Sequence, residues 1–210
     1  MFSGIVEATT PILSSDMQGT CKHVCIRMPR GWKLRAGQSV AIDGICSTVV
    51  RAERNFLEVE YMPQTLSKTT AGVFAKGRIL NLERSLKMGD VVDGHLLAGH
   101  VDARVRIAGM VELPRSKEMI VAAPLSLMKY IALHGSVAVN GVSLTVARRG
   151  ETSFTVGLIP YTLSHTNLGH LGVGDRVNLE VDILARYVFA ALGLGGTVGR
   201  HAEKKLRKKR

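Results

Sequence analysis

Short segments rich in β-branched residues recur along the chain, with hydrophobic positions often alternating with polar ones. Such segments predict strands, because successive side chains of a strand point to opposite faces. The pairs Asp43-Gly44, Asn140-Gly141 and Arg149-Gly150 are typical of tight turns between antiparallel strands. The predicted strands cover residues 39–42, 48–52, 56–61, 137–140, 144–147 and 154–158. Many short strands at regular spacing indicate a small barrel or sandwich.

Two segments follow the helical period instead. Residues 123–133 predict a short helix, and residues 184–194 predict a stronger one that ends at Gly193, Gly195 and Gly196. One face of the second helix carries Leu184, Tyr187, Val188, Ala191 and Leu192. A single amphipathic helix after a β-rich chain suggests that copies of the chain associate through it, and docking onto its own barrel is the alternative.

The chain contains an internal repeat. Residues 39–85 align without a gap with residues 136–182, and 18 of these 47 positions are identical. Near the start, residues 2–7 match residues 97–102 at an offset that is two residues shorter, a difference that a surface loop tolerates. A tandem duplication of a unit of about 90 residues predicts two small domains rather than a solenoid.

Composition excludes several classes of protein. Hydrophobic residues make up 46% of the chain and charged residues 21%, so disorder cannot be its main state. No apolar stretch approaches the ~20 residues of a membrane helix, and the first residues do not resemble a secretory signal. Three cysteines cannot all pair with one another. We therefore expect a cytoplasmic protein that makes no membrane contact.

The formal net charge of +11 is unevenly distributed. Residues 200–210 contain seven Lys and Arg side chains against Glu203, which gives +6 for this segment alone. A run of this kind is typical of a solvated tail, and weak affinity for nucleic acid or an anionic surface is the alternative. The rest of the chain does not interleave basic with aromatic residues, so no nucleic-acid partner is expected.

Four segments together resemble the riboflavin synthases of the α-chain type, a lumazine-binding family with a duplicated barrel. The resemblance extends over residues 1–190, and its segments are residues 1–6, 94–102, 127–131 and 140–146. It implies an all-β chain with two tandem six-stranded Greek-key barrels, a C-terminal helix and assembly as a homotrimer. The implied domains are an N-terminal barrel over residues 1–93, a C-terminal barrel over 94–183, a trimerisation helix over 184–196 and a basic tail over 197–210.

The resemblance also implies an activity. In these enzymes two molecules of 6,7-dimethyl-8-ribityllumazine react, one donating a four-carbon unit to the other, and the products are riboflavin and 5-amino-6-ribitylamino-pyrimidinedione. No cofactor or metal is needed. The spacing of His95 and His100 is not a standard zinc pattern either. Two similar pockets for two identical substrates would explain the duplication, with positioning of the two rings supplying much of the acceleration.

The site residues are carried over position by position from the resemblance. The implied catalytic residues are Ser39, Cys46, His100 and Asp182, with His100 as the candidate for proton transfer. The implied substrate contacts are Gly4, Val6, Thr48, Gln64, Thr65, Gly99, Val101, Lys129, Ser143, Thr145, Ile159 and Thr162. Without the resemblance, Cys46 reads as a small buried strand residue.

Several positions depart from the family pattern, among them Gln64 and Tyr161, where a Glu is usual. Gln64 can still donate and accept hydrogen bonds, whereas Tyr161 is bulkier and could narrow the pocket of the second barrel. These changes raise a second hypothesis, a non-catalytic lumazine- or flavin-binding protein of the same fold. Retention of His95, His100, Ser143, Thr145 and Asp182 favours the enzyme.

Overall fold

The computed structural model describes residues 1–194, which form two closed six-stranded antiparallel barrels and a C-terminal helix. The first barrel consists of β1 (Ala8–Gln18), β2 (Cys21–Arg27), β3 (Ser39–Ile42), β4 (Ile45–Ala52), β5 (Phe56–Tyr61) and β6 (Ile79–Arg84). The second consists of β7 (Ala103–Leu113), β8 (Ser116–Ala122), β9 (Ser136–Val139), β10 (Val142–Arg149), β11 (Ser153–Leu158) and β12 (Arg176–Val181). The all-β duplicated fold predicted from the sequence is confirmed.

Both barrels have the same Greek-key strand order. In the first, neighbouring strands follow the order β1-β2-β5-β4-β3-β6, and the second repeats it with β7 to β12. A long connection leads from β2 to β3. Strands β3, β4 and β5 then follow one another through hairpins, which brings β5 beside β2. Each barrel encloses its own apolar core, because alternate positions such as Ile45 and Val49 on β4 point inward.

Four short helices complete the described chain. They are α1 (Pro63–Lys68), α2 (Leu125–Met128), α3 (Pro160–His165) and α4 (Ile183–Ala191), and single 3₁₀ turns follow α1 and α3 at Thr70–Val73 and Asn167–His170. The predicted helix over residues 123–133 is wrong in extent. After four residues, the amides of Tyr130 and Ile131 bond three residues back, which tightens the chain into a turn before β9.

Helix α4 begins one residue earlier than the sequence predicts, because the Asp182 side chain accepts a hydrogen bond from the Leu184 amide and caps the helix. It docks on its own barrel through Phe189, whose ring contacts that of Tyr130 edge to face at 5.2 Å. Leu184, Tyr187 and the other members of its predicted apolar face remain exposed. Gly195, Gly196 and the basic tail lie outside the described residues. Across residues 1–194, no helix is both long and apolar enough to cross a bilayer.

The barrels meet at two equivalent hairpin turns. Asp43-Gly44 joins β3 to β4 and Asn140-Gly141 joins β9 to β10, and all four residues have positive φ. This is the conformation of a type I′ turn. A Cβ atom on Gly44 would lie 2.7 Å from the backbone nitrogen of Gly141, so the two turns can pack this closely only without side chains there.

A buried polar network joins the barrels around these turns. The Asn81 side chain donates to the Asn140 carbonyl at 2.9 Å, and the equivalent Asn178 side chain donates to the Asp43 carbonyl at 2.8 Å. Asn81 also accepts from the Asn167 amide of the other barrel at 2.7 Å. Because these three bonds cross between the barrels, the relative orientation of the barrels is fixed by directed polar contacts as well as by apolar packing.

The two halves of the network differ at the turn position where the first barrel has Asp43 and the second barrel has Asn140. The Asp43 Oδ1 accepts from the Asn81 amide and the Asn167 side chain, both at 2.8 Å. Its Oδ2 has no hydrogen-bond partner, and the nearest cationic group, Arg78, stands 3.9 Å away. Burial raises the pKa of the Asp43 carboxyl to about 7 against these hydrogen bonds and the Arg78 charge.

Replacement of Asp43 by Asn should therefore change how stability depends on pH. A carboxyl with a raised pKa in the folded protein stabilises it most below the unfolded value of 3.8, and this contribution is lost as the pH rises towards 7. The difference between the pKa of Asp43 in the folded and in the unfolded protein corresponds to up to about 4 kcal/mol of folding stability. The free energy of unfolding of Asp43→Asn, relative to that of the wild type, should be about 2–4 kcal/mol higher at pH 8 than at pH 5 when both are measured by denaturant unfolding. The exposed Asp16→Asn is the control, and equal pH dependence in all three proteins would contradict the prediction.

Candidate substrate pockets on the two barrels

Two equivalent segments cross from one barrel to the other. Residues 1–7 lead into β1 of the first barrel, yet the Gly4 carbonyl accepts from the Ser143 amide of the second barrel at 2.8 Å. Residues 94–102 lead into β7 of the second barrel, yet the Gly99 carbonyl accepts from the Cys46 amide of the first at 2.8 Å. The segments meet at Phe2 and Leu97, which exchange two backbone hydrogen bonds. Each barrel face is therefore completed by a segment belonging to the other barrel.

Two buried carboxylates hold these segments. Glu83 on β6 accepts from the Ser3 amide at 2.6 Å, from the Ser3 hydroxyl at 2.7 Å and from the Gly4 amide at 3.0 Å. Glu180, its equivalent on β12, accepts from the amides of Ala98 at 2.8 Å and Gly99 at 3.1 Å. Burial raises the pKa of both carboxyls, while these hydrogen bonds oppose the rise.

Sequence reasoning did not assign a role to Glu83 or Glu180. The signal was present, because both are acidic residues retained at aligned positions of the repeat directly after apolar strand residues. A buried acid in such a strand needs hydrogen-bond donors, and here the exchanged segments supply them.

Small polar side chains line the outer face of each barrel beside the crossing segment. On β4, Ile45 and Val49 point inward, so Cys46 and Thr48 point outward, with Cys46 half-buried and Thr48 exposed. Ser39 pairs with Thr48 across β3 and β4. The structure thus brings three predicted residues of the first pocket, Ser39, Cys46 and Thr48, onto one patch together with Gly99.

The second barrel repeats this patch with different chemistry. Ser143 and Thr145 take the places of Cys46 and Thr48 on β10, and Gly4 takes the place of Gly99. Ile5 stands at the position of His100 in the repeat, as both residues follow the glycine of their crossing segment. The two patches therefore carry equivalent small polar side chains, while the crossing segments differ in their capacity for proton transfer, because an imidazole can exchange a proton and the Ile5 side chain cannot.

The two histidines of the central segment lie in different surroundings. His100 is exposed and lines a cavity of about 460 Å³ between the segment and α4. His95 is half-buried beside the second pocket, and its Nδ1 lies 2.7 Å from the Ser143 hydroxyl. Burial lowers the pKa of His95, and the negative charge of Asp182 opposes this effect.

Two predicted catalytic residues lie on different barrels within one chain. Ser39 is on β3 of the first barrel and borders an open cavity of about 550 Å³. Asp182 follows β12 of the second barrel and caps α4. A pocket that uses both would therefore need either two barrels of one chain or barrels of neighbouring chains.

The remaining predicted contacts surround these patches. Val101 packs against the core of the first barrel and Val6 against that of the second, so each crossing segment is also anchored by an apolar side chain. Lys129 donates to the Leu194 carbonyl at 3.3 Å and lies over the Phe189 ring, which places it at the end of α4.

The short helices α1 and α3 present the other predicted contacts. Gln64 and Thr65 lie on α1, Thr162 lies on α3, and Ile159 precedes α3 as an exposed side chain. Tyr161, which the sequence suggested might narrow the second pocket, is 66% exposed and stacks on His165 at 3.9 Å. Within residues 1–194, no three His, Cys, Asp or Glu side chains form a group that could hold a metal ion.

A protein with two barrels that share a fold and a polar patch belongs to a duplicated ligand-binding class, and comparison with known families agrees. The lumazine-binding domain matches residues 3–85 and again residues 98–182. Curated riboflavin synthases are similar along most of their length. That of Bacillus subtilis is 34% identical over 193 residues, covering 91% of this chain and 90% of the relative. That of Escherichia coli is 35% identical over 185 residues, covering 87% of each. The chain therefore belongs to the riboflavin synthase family.

Solved structures show the same fold at lower identity. LumP complexed with riboflavin superposes with a TM-score of 0.81 at 22% identity, covering 86% of this chain and 99% of LumP. LumP complexed with 6,7-dimethyl-8-(1'-D-ribityl) lumazine gives a TM-score of 0.78 at the same identity and coverage. This likeness supports the duplicated barrel architecture.

Replacement of Gly99 by Ala should disturb the first pocket. Gly99 has φ +76°, and a Cβ there would lie 2.6 Å from Cys46 Cβ, so both the backbone and the close contact oppose the change. We expect a loss of about 2–4 kcal/mol in denaturant unfolding, together with weaker ligand binding. Gly77→Ala is the matched control, since Gly77 has φ +86° with no neighbour near its Cβ, and it should lose about 1–2 kcal/mol. Equal losses in the two variants would show that the contact with Cys46 is unimportant.

Proposed function

We propose that this protein catalyses the riboflavin synthase reaction. Two molecules of 6,7-dimethyl-8-ribityllumazine react, the four-carbon unit of one is transferred to the other, and riboflavin and 5-amino-6-ribitylamino-pyrimidinedione result. The observation that carries the proposal is the pair of equivalent outer patches, Cys46 with Thr48 and Ser143 with Thr145, each closed by a glycine of the opposite crossing segment. Two similar pockets suit two identical substrates.

The inequality of the pockets suits a reaction in which identical molecules take opposite parts. In the proposed reaction, His100 and Cys46 supply an imidazole and a thiol, groups that can accept or deliver a proton. The second pocket offers the Ser143 and Thr145 hydroxyls, which can hold a ring edge or a ribityl chain by hydrogen bonds. The transfer consumes no oxidant or reductant, because the carbon unit lost by one lumazine is gained by the other.

We assign the remaining contacts to substrate positioning. Ser39 extends the first patch beside Thr48, and Asp182 places a carboxylate at the edge of the second patch near His95. To Gln64 and Thr65 on α1, and to their counterparts on α3, we assign hydrogen bonds to the ribityl chains. Holding two rings in a reactive arrangement can by itself supply a large share of the acceleration.

The reaction is tested by mixing the full-length protein with 6,7-dimethyl-8-ribityllumazine and following riboflavin by absorbance and the pyrimidinedione by chromatography. We expect equal amounts of the two products. Cys46→Ala and His100→Ala should each lower kcat by about 10²- to 10⁴-fold, the range of a lost proton-transfer group. Cys25→Ala and His23→Ala remove the same residue types from the outer face of β2 and should leave turnover unchanged.

Binding of the lumazine without any product would contradict the proposal and establish the second hypothesis, a non-catalytic lumazine- or flavin-binding protein. The fold similarity to LumP is the observation that supports this second hypothesis. Wild-type rates in both Cys46→Ala and His100→Ala would refute the assignment of the first pocket while leaving the reaction itself intact.

We further propose that the protein assembles as a homotrimer through α4. Leu184 is 62% exposed, Tyr187 68% and Val188 55%, which is a large apolar surface for one nine-residue helix. Association of chains would also allow the first pocket of one chain to face the second pocket of its neighbour, which brings Ser39 and Asp182 within reach of one substrate pair.

Charged substitutions on this face test the assembly. We expect Leu184→Asp combined with Val188→Asp to reduce the mass measured by light scattering from three chains towards the 22.7 kDa of one. Removal of all residues after Gly193 is the control, and it should leave the mass of the assembly at three chains. A double variant with unchanged mass would refute the role of α4. The cytoplasmic location and the absence of a nucleic-acid partner remain predictions.

A further inference from the structure

Asp102 closes the crossing segment that carries His100. Its backbone amide donates to the Leu179 carbonyl at 2.8 Å, and its Oδ2 accepts from the Val181 amide at 2.9 Å. The Asp102 side chain is only 8% exposed, and its Oδ1 forms an ion pair with Arg186. The segment is therefore fixed on one side of His100 by Glu180 and on the other by Asp102.

The duplicated half shows what is particular about this arrangement. Glu7 is the equivalent of Asp102, and it accepts from the Arg84 amide at 2.7 Å, just as Asp102 accepts from the amide of Val181. In the first half, the cation that pairs with Glu7 is the side chain of the same residue, Arg84 on β6. In the second half that strand position is Val181, which has no charge, and the cation comes from α4 as Arg186.

The C-terminal helix is thereby connected to the crossing segment that carries His100. Helix α4 begins at its cap Asp182, directly after β12, and contacts the second barrel through the Phe189–Tyr130 pair near its end. Between these two points, Arg186 reaches Asp102. The cavity beside His100 is bounded by this same stretch of helix. Its other charged lining groups are Lys68 of α1 and Glu180.

We infer that Arg186 is a positioning residue for His100. By pairing with Asp102 it fixes the end of the crossing segment, and so it sets where the imidazole stands relative to a substrate on the first barrel. The inference rests on the proposed function, and it adds a second task to α4 besides assembly. A docked helix becomes a condition for a correctly placed proton-transfer group.

The variants separate this role from a purely structural one. Arg186→Met keeps the length and apolar contacts of the side chain but loses the charge, and Arg186→Lys keeps the charge. Asp102→Asn can still accept from the Val181 amide while losing the ion pair. Arg148→Met is the matched control, because it removes an exposed arginine paired with Glu118 on the outside of the same barrel. Each protein is used as the full-length chain, with folded sites counted by bound riboflavin.

We expect Arg186→Met to lower kcat per folded site by about tenfold with KM changed less than about twofold, since a displaced proton-transfer group affects the transition state more than the bound substrate. Arg186→Lys should recover most of kcat, and Arg148→Met should match the wild type. Because the pair acts as one unit, Asp102→Asn and the double variant should lose about as much as Arg186→Met alone.

Wild-type kcat in Arg186→Met would overturn the inference, as would losses in the single variants that simply add in the double variant. A lower melting temperature with normal kcat per folded site would also overturn it and leave Arg186 a structural residue. A wild-type protein that makes no riboflavin would refute the proposed function instead. In that case the positioning role is decided by the His100 imidazole resonances in NMR spectra, which Arg186→Met should shift and Arg148→Met should not.

Discussion

The exchange of two crossing segments, held by the buried carboxylates Glu83 and Glu180, is the constraint on which both pockets depend. Each carboxylate accepts hydrogen bonds from backbone amides of the crossing segment that contains Gly4 or Gly99. This anchor adds to the backbone hydrogen bonds that hold Gly4 against Ser143 and Gly99 against Cys46. A hydrogen-bonded carboxylate is costly to bury and directional, so it fixes a position that apolar packing alone would leave free to slide.

A duplicated fold starts with two equal sites, and four of the differences between the halves bear on the sites and on how they are held. Cys46 aligns with Ser143 in the repeat, His100 with Ile5, and Asp43 with Asn140. The charge that Arg84 supplies in the first half is supplied in the second half by Arg186 of α4. The first two differences concern proton transfer, the third concerns the buried contact between barrels, and the fourth connects one half to the helix. Two copies of one substrate in a dismutation require such inequality, since one must give what the other receives.

The apolar face of α4 and the polar contacts of the same helix point in different directions. Phe189, Arg186 and Asp182 hold it to its own barrel, while Leu184, Tyr187 and Val188 remain exposed. The alternatives that the sequence left open, docking and association, are thus compatible in one helix. The sequence pattern identified the exposed face, because a helical period of apolar residues is visible without knowing the partner.

The sequence by itself determined the duplication, the strand-rich pattern, the turns at Asp43-Gly44 and Asn140-Gly141 and the family, since these depend on local periodicity and on identities at a fixed offset. It also led to the polar residues of the two patches, through the resemblance. Only the tertiary structure decided that residues 1–7 and 94–102 change barrels, that Glu83 and Glu180 hold them, and that Arg186 reaches Asp102. These contacts join residues about 80 positions apart or lie between elements whose relative orientation has no signature in the local sequence. The short helix after Pro124 shows the same limit, because its early end follows from where the chain must turn to enter β9 and not from its apolar period.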